Sequence, residues 1–455
     1  MAYSSFNLLK ILDCKKSTPL TYLLHQTDYF LSSLLSSLHQ TVDLRLVKTF
    51  QELFHCLLEN RNSTKSLLLT ELGTLLAGST HGKAGVKRIG NLIRSKNWST
   101  DLIADFFRNR SLDRIKMMEE KNIRPLLIWD GSVLEKHEST YLEGLSAVIS
   151  SKAKRLTRIK PGYYNSPVKG FINVPGFKVE GVVLTALNER ASLFEFNIYS
   201  RVGVFKEWLS NFIWNGFKTI RNQSKKAVLH VFDRGYANCT LLEFAQEFDQ
   251  QFLVRWIGKR FLIDEKGKRL TYNITKGMKN KSFKFTYDKE RNKYTRRLIS
   301  WKKVQHPEMG DQMYTLIVVR EYKRAGSPIY ILTNLDIDTK KTAWEMLFSY
   351  MKRWEVEEMF RCCKAEIGLQ SIRVQGWENR LKLFYIALLI YEFLMEIIQK
   401  RRHYVERLIN IYTPIFGSKK SKSPFYRLRK AFSVILNQWK SCCEIIYRFN
   451  PIFKG

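Results

Sequence analysis

Apolar residues recur at three- and four-residue spacing in Tyr22–Leu38, Val47–Leu58 and Ser66–Leu76, so residues 1 to about 115 read as helical. Ala77-Gly78-Ser79-Thr80-His81-Gly82 interrupts the pattern as a turn, and Lys83–Lys96 resumes it with Lys83, Lys87, Arg88, Arg94 and Lys96. A short helix, a glycine-containing turn and a basic second helix fit a helix-turn-helix. A plain helical hairpin with a solvated basic face fits as well, and the density of cations favours the DNA-binding form. From Arg124 the period changes. Pro125–Trp129 is a short apolar run ending in Asp130-Gly131, and Gly181–Leu187 and Leu193–Tyr199 read as further strands. Val202–Arg221 reads as an amphipathic helix. Ala227–Phe232 is a buried strand ending in Asp233-Arg234-Gly235-Tyr236, followed by a helix at Thr240–Phe248 and a strand at Gln251–Trp256. Strands alternating with helices predict an α/β core with a mixed sheet.

Between about 258 and 328 lysine and arginine are dense. Phe283–Tyr287 and Tyr294–Trp301 flank a hairpin turn at 288–293, and Tyr314–Arg320 is one more strand, so this segment reads as a β-rich insertion. The core resumes at Ile329–Thr333 and continues into a long helix from about Thr339 to Glu366. Beyond Gly368 the chain is helical again, with a basic stretch at Lys419, Lys420, Lys422, Arg427, Arg429 and Lys430. The expected organisation is a helical domain at 1–115, a core in two parts at 116–257 and 329–375, the insertion at 258–328, and a helical region at 376–455.

Charge sharpens this picture. The chain of 455 residues carries 76 Lys and Arg against 42 Asp and Glu, a formal charge of +34. Self-repulsion on that scale calls for a polyanion, and nucleic acid is the usual one. The hydrophobic fraction of 45% is that of a folded protein rather than a disordered basic tail. Charge alone leaves RNA-binding roles open. The seven cysteines show no C-x-x-C spacing and fit a reducing compartment. The N-terminal residues lack a signal-peptide pattern. Leu383–Ile398 is interrupted by Glu392 and Glu396 and is shorter than the roughly 20 apolar residues of a span, so it reads as a buried helix. A cytoplasmic protein with no membrane partner, associated with the nucleoid when bound to DNA, is expected.

Two features can carry chemistry. Asp130 and Asp233 each follow an apolar strand, and carboxylates at the ends of adjacent strands can converge on one Mg²⁺ site. Taken singly, such an aspartate is more often a turn residue. The long helix carries Tyr350, Arg353, Glu357, Arg361 and Lys364 at steps of three, four, four and three, which place them on one face. An ordinary polar stripe, with Glu357 and Arg361 as an i,i+4 pair, explains the helix by itself. One carboxylate among cations also suits a phosphate-bearing substrate held at a metal. His230 lies within a strand and reads as a hydrogen-bonded core residue. His137 belongs to no His-based metal set.

Tyr350-x2-Arg353-x3-Glu357-x6-Lys364 resembles, position for position, the Y-x2-R-x3-E-x6-K signature of the IS4-type transposases, bacterial cut-and-paste enzymes. Asp233-Arg234-Gly235-Tyr236 is similar to that family's second-aspartate motif, and Asp130 takes the place of its first aspartate. Leu69–Gly73 followed by Lys87-Arg88-Ile89 is similar to its end-binding region. The resemblance spans roughly residues 65 to 375. It implies an RNase H-like catalytic core in which Asp130, Asp233 and Glu357 hold two divalent ions, Mg²⁺ with Mn²⁺ able to substitute, roughly 3.5–4 Å apart. It implies cleavage at transposon terminal inverted repeats and joining of the 3′ ends to target DNA by a homodimer in a synaptic complex. Tyr350, Arg353 and Lys364 would grip the DNA backbone, with Arg361 as a further phosphate contact. Lys83, Lys87 and Arg88 would bind the ends. The family's flipped base needs an aromatic partner, for which Trp256, Trp301 and Tyr330 are candidates. Two alternatives are an inactive DNA-binding descendant and an RNase H-like nuclease that hydrolyses without joining.

Overall fold

The structure is a computed structural model that describes residues 19–60, 66–139, 141–150, 162–165, 171–224, 228–288, 293–322, 327–413 and 424–449, the last stretch with side chains to 437. Two compact units are formed, one from the described residues of Met1–Ile103 and Cys362–Gly455, the other from those of Ala104–Arg361.

The first unit is helical, with α1 (Pro19–His39), α2 (Leu44–Glu59), α3 (Leu69–Ala77) and α4 (Gly82–Arg94) joined by C-terminal helices. Asp43 caps α2 by accepting from the backbone N–H groups of Arg45 and Leu46. Phe30 and Phe54 each meet Phe393 edge to face in its core, and the three ring centroids lie 5.3–6.1 Å apart. The expected turn between α3 and α4 is a short 3₁₀ segment at Ser79–His81. The two helices approach so closely that a side chain on Gly85 would collide with the Gly73 backbone. The hairpin is therefore specified by packing as well as by charge. The expected buried helix at Leu383–Ile398 lies within Trp377–Lys400. Among the described residues no helix is long and apolar enough to cross a membrane.

The second unit opens with the helical residues of α5 (Asp101–Glu120) that follow Ile103, then forms one mixed sheet. At its centre β1 (Leu126–Glu135) pairs antiparallel with β4 (Ile172–Thr185), which pairs antiparallel with β5 (Ser192–Tyr199). On the other side β1 runs parallel to β6 (Leu229–Phe232), and β6 parallel to β7 (Gln251–Trp256). β2 (Ser146–Ile149) and β3 (Tyr164–Asn165) edge β4. Helix α6 (Leu209–Gln223) covers Trp129, and a side chain on Gly216 would collide with that indole. Its start is later than the sequence suggests, because Gly203–Phe205 forms a separate 3₁₀ turn. Helix α7 (Cys239–Glu247) follows β6.

The segment expected as a separate insertion continues this same sheet. It contains β8 (Phe261–Asp264), β9 (Gly267–Leu270), a short α8 (Thr271–Thr275), β10 (Ser282–Asp288), β11 (Lys293–Gln305) and β12 (Met313–Glu321). β12 pairs with β13 (Ile329–Thr333), which pairs with β7. The tip of the β10–β11 hairpin at 289–292, residues 419–422 and Ala227 lie outside the described residues.

The long helix expected from Thr339 to Glu366 is divided. Helix α9 (Lys340–Met351) ends in a turn at Lys352-Arg353, α10 (Trp354–Arg361) follows, and Cys362–Ile367 is π-helical. Tertiary contacts hold the turn. Lys352 Nζ bonds the Glu189 carbonyl and the Glu355 carboxylate, while the Arg353 guanidinium turns inward to carboxylates.

Candidate active site

Parallel register brings the two aspartates together. Trp129 pairs with Phe232 at the end of the β1–β6 ladder, so Asp130 and Asp233 emerge at the same level from neighbouring strands. They differ in one respect from the sequence expectation. Asp130 does not end its strand, because the antiparallel pairing with β4 carries β1 on to Glu135. Asp233 does leave its strand, into the 3₁₀ turn Arg234–Tyr236.

Helix α10 supplies the third carboxylate. Asp130 pairs with Gly181 of β4, where any side chain would collide with Met359 and crowd Phe360. The bare backbone there lets α10 lie against β1 and β4, with Glu357 on the same helix. All three carboxylates converge on one guanidinium. Arg353 Nη1 lies 3.4 Å from Asp130 Oδ2, its Nε lies 3.7 Å from Asp233 Oδ1, and Nη1 also donates to Glu357. Tyr350 donates its hydroxyl to Asp233 Oδ1 at 3.4 Å. The break at Lys352-Arg353 thus aims Tyr350 and Arg353 from the two sides of a turn, where the sequence suggested one continuous face.

Burial dominates the electrostatics of Asp130. Desolvation pushes its pKa up to about 6, and Asp233 and Glu357 push the same way against the pull of Arg353. Desolvation, with Asp233 adding to it, also raises the Tyr350 phenol to about 12, so Tyr350 remains a donor.

A fourth carboxyl group stands behind the aspartates. Glu180, opposite Gly131 on β4, is fully buried and accepts the Tyr236 hydroxyl. A Cβ on Gly131 would lie 3.0 Å from Glu180 Oε2 and 3.7 Å from the Tyr236 hydroxyl, so the glycine leaves the gap through which this bond crosses β1. Desolvation pushes Glu180 up to about 8, with Asp130 and Glu195 also raising it and the Tyr236 bond and Lys178 opposing. The bond ties the turn after Asp233 to the strand beside Asp130. Nothing in the sequence around Glu180 marks it, since only the β1–β4 register places it there.

The remaining sequence candidates are dispersed. Arg361 is exposed and pairs with Glu358, away from the three carboxylates, because Glu357 is taken by Arg353. Lys364 falls in the π-helical segment of the first unit. Lys83 and Lys87 are exposed one turn apart on α4, whereas Arg88 is held by Glu52 of α2. Trp256, Trp301 and Tyr330 are only 2%, 8% and 5% exposed, so none is presented to a DNA base. His230 is a core residue as expected. Its Nδ1 accepts from the Trp129 indole at 3.1 Å and its Nε2 faces Gln250 Oε1 at 3.1 Å, and burial lowers its pKa to about 3. His137 sits in the loop after β1, stacked on Tyr163.

Among the described residues no group of three or more His, Cys, Asp or Glu side chains is positioned to hold a metal ion as it stands. The three carboxylates are arranged around Arg353 instead.

No protein-family model matches the chain, and no curated relative does. Among solved structures it is similar to a piggyBac transposase synaptic complex with hairpin DNA, with a TM-score of 0.36 and 11% identity over 72% of this chain and 55% of that one. This chain therefore spans little more than half of that protein's length, and a likeness this low carries no argument here.

Proposed function

We propose that this chain is a transposase of the IS4 type with an RNase H-like core, which cuts DNA at transposon ends and joins the 3′ ends to target DNA. The observation that carries this reading is the convergence of Asp130, Asp233 and Glu357, from two strands and a helix, on one positive centre. Three hard oxygen donors drawn to one cation match what Mg²⁺ or Mn²⁺ prefers. The order strand–Asp, strand–Asp, further strands, helix–Glu is that of the resembled family.

Divalent ions held there would activate a water or 3′-hydroxyl nucleophile and stabilise the leaving oxygen. Arg353 and such ions compete for the same three carboxylates. Once released, its guanidinium is free to take a DNA phosphate bidentately. Tyr350 orients Asp233, and the Tyr236–Glu180 bond fixes the spacing of the two aspartates. Lys83 and Lys87 offer phosphate contacts for double-stranded end DNA, and a homodimer holding two ends follows from the same family logic.

A second reading is favoured by one observation. Arg353 already bridges the three carboxylates, so a DNA-binding protein that no longer cuts would look the same. The deciding experiment mixes the protein with DNA carrying the ends that flank its gene, plus Mg²⁺ or Mn²⁺, beside Glu357→Gln. Joined products from the wild type alone support the transposase. Cuts without joining indicate a nuclease, and binding without cutting indicates the inactive form.

A further inference from the structure

The β10–β11 hairpin has two unlike faces. Strand register assigns Lys284, Thr286, Thr295 and Arg297 to one, and Phe283, Phe285, Tyr287, Tyr294 and Arg296 to the other. The polar set lies on the covered face, with Lys284 still exposed at its edge. Thr286 and Thr295 are buried, Lys284 lies over the Trp344 and Phe348 rings of α9, and Ser282 accepts from the Trp344 indole. The aromatic set points out. Phe283 is 51% exposed, Phe285 66% and Tyr294 72%.

An alternating strand normally buries its rings and exposes its lysines. Here the rings of one face stay exposed and contact chiefly one another, and an exposed aromatic surface marks an interaction site. A cation is built into it. The Arg296 guanidinium lies 4.0 Å from the Phe283 ring centroid and 4.6 Å from that of Tyr322. Phe283 and Phe285 stand 6.4 Å apart, edge to face. Lys279, Lys281 and Lys293 are exposed on the same segment.

We propose that this face binds single-stranded nucleic acid, its bases stacking on Phe283, Phe285 and Tyr294 while Arg296 and the flanking lysines meet the phosphates. Aromatic rings interleaved with cations suit unpaired bases on a charged backbone. A neutral protein surface would gain from the rings but not from the lysines. Unpaired bases are the part of a nucleic acid that a duplex hides, so the face discriminates strand state rather than sequence. The proposal stands whether or not the carboxylates cut DNA.

The test uses the full chain in EDTA, which separates it from any metal-dependent step. Fluorescein-labelled oligothymidylate and a duplex of equal length are titrated against wild type, Phe285→Ala/Tyr294→Ala and Phe285→Trp. Both positions are exposed, and thermal melting checks that the fold is kept. Expected is a loss of about tenfold or more in affinity for the single strand in the double variant. Phe285→Trp should keep that affinity, and duplex binding should change by less than about twofold. Unchanged single-strand affinity in the double variant overturns the proposal. So does a wild-type dimer in sedimentation that the double variant alone abolishes, which would assign the face to a second copy of this chain.

Discussion

Two inward-turned arginines, Arg429 of the helical unit and Arg353 of the sheet unit, are bonded in opposite ways. In the helical unit Arg429 donates to the backbone carbonyls of Leu57, Asn60 and Glu366. Those acceptors are neutral and belong to chain segments that go nowhere, so Arg429 works as a pin. In the sheet unit Arg353 faces three carboxylates. Carboxylates brought this close repel one another, and any cation relieves that repulsion. A cation that can be replaced by another marks a site rather than a scaffold.

The largest expected effect tests the catalytic half of this contrast. Glu357→Gln should reduce cleavage by on the order of 10⁴-fold, as loss of a member of a catalytic set does. End-DNA affinity should be unchanged in a gel-shift titration. Residual cleavage above a few per cent would mean that Glu357 belongs to a surface stripe. Next in size is salt. With six or more phosphates neutralised, affinity for end DNA should fall by about 10³-fold between 50 and 200 mM salt. A flat response would remove nucleic acid as the partner for the +34 charge.

Stability then separates the two arginines directly. Arg429→Met removes the donors to three carbonyls, two of them buried, and should cost about 3 kcal/mol in urea unfolding, with or without divalent metal. Arg353→Met should cost about 1–2 kcal/mol at neutral pH, and millimolar Mn²⁺ should restore it. Equal, metal-independent losses would erase the distinction drawn here.

An effect of similar size to that of Arg353 concerns the carboxyl group behind the site. Folding raises Asp130 from 3.8 to about 6 and Glu180 from 4.5 to about 8, in both cases chiefly by desolvation. The folded state therefore holds these protons more tightly than the unfolded chain. The destabilisation is absent below the unfolded values, grows as pH rises, and is complete above about 6 for Asp130 and about 8 for Glu180. Glu180→Gln keeps an acceptor for Tyr236 and should flatten the fall in stability between pH 4.5 and 8 by on the order of 2 kcal/mol. A parallel curve would place the titration elsewhere.

Local sequence offered the two aspartates only as weak candidates, because an Asp after an apolar run is more often a turn residue, and it is the parallel β1–β6 register that puts them side by side. Glu357 was visible through its spacing from Tyr350, Arg353 and Lys364. The break at Lys352-Arg353 was not, since Tyr-Met-Lys-Arg-Trp-Glu contains no helix breaker. Only the tertiary pull of Glu189 on Lys352 and of the carboxylates on Arg353 produces it. Glu180 was invisible for a similar reason, as its neighbours in space come from register. The Phe-Lys-Phe-Thr-Tyr alternation of β10 correctly signals a strand but not which face is covered. Helix α9 takes the polar one.

The most direct test of the central claim is a Mn²⁺ titration of the DNA-free protein followed by electron paramagnetic resonance, beside Asp233→Ala. The account predicts that the wild type removes free Mn²⁺ signal at sub-millimolar concentration, that Asp233→Ala fails to, and that Arg353→Met binds more tightly than either. Equal Mn²⁺ binding by the wild type and Asp233→Ala would contradict it and leave Arg353 as a permanent occupant of the three carboxylates.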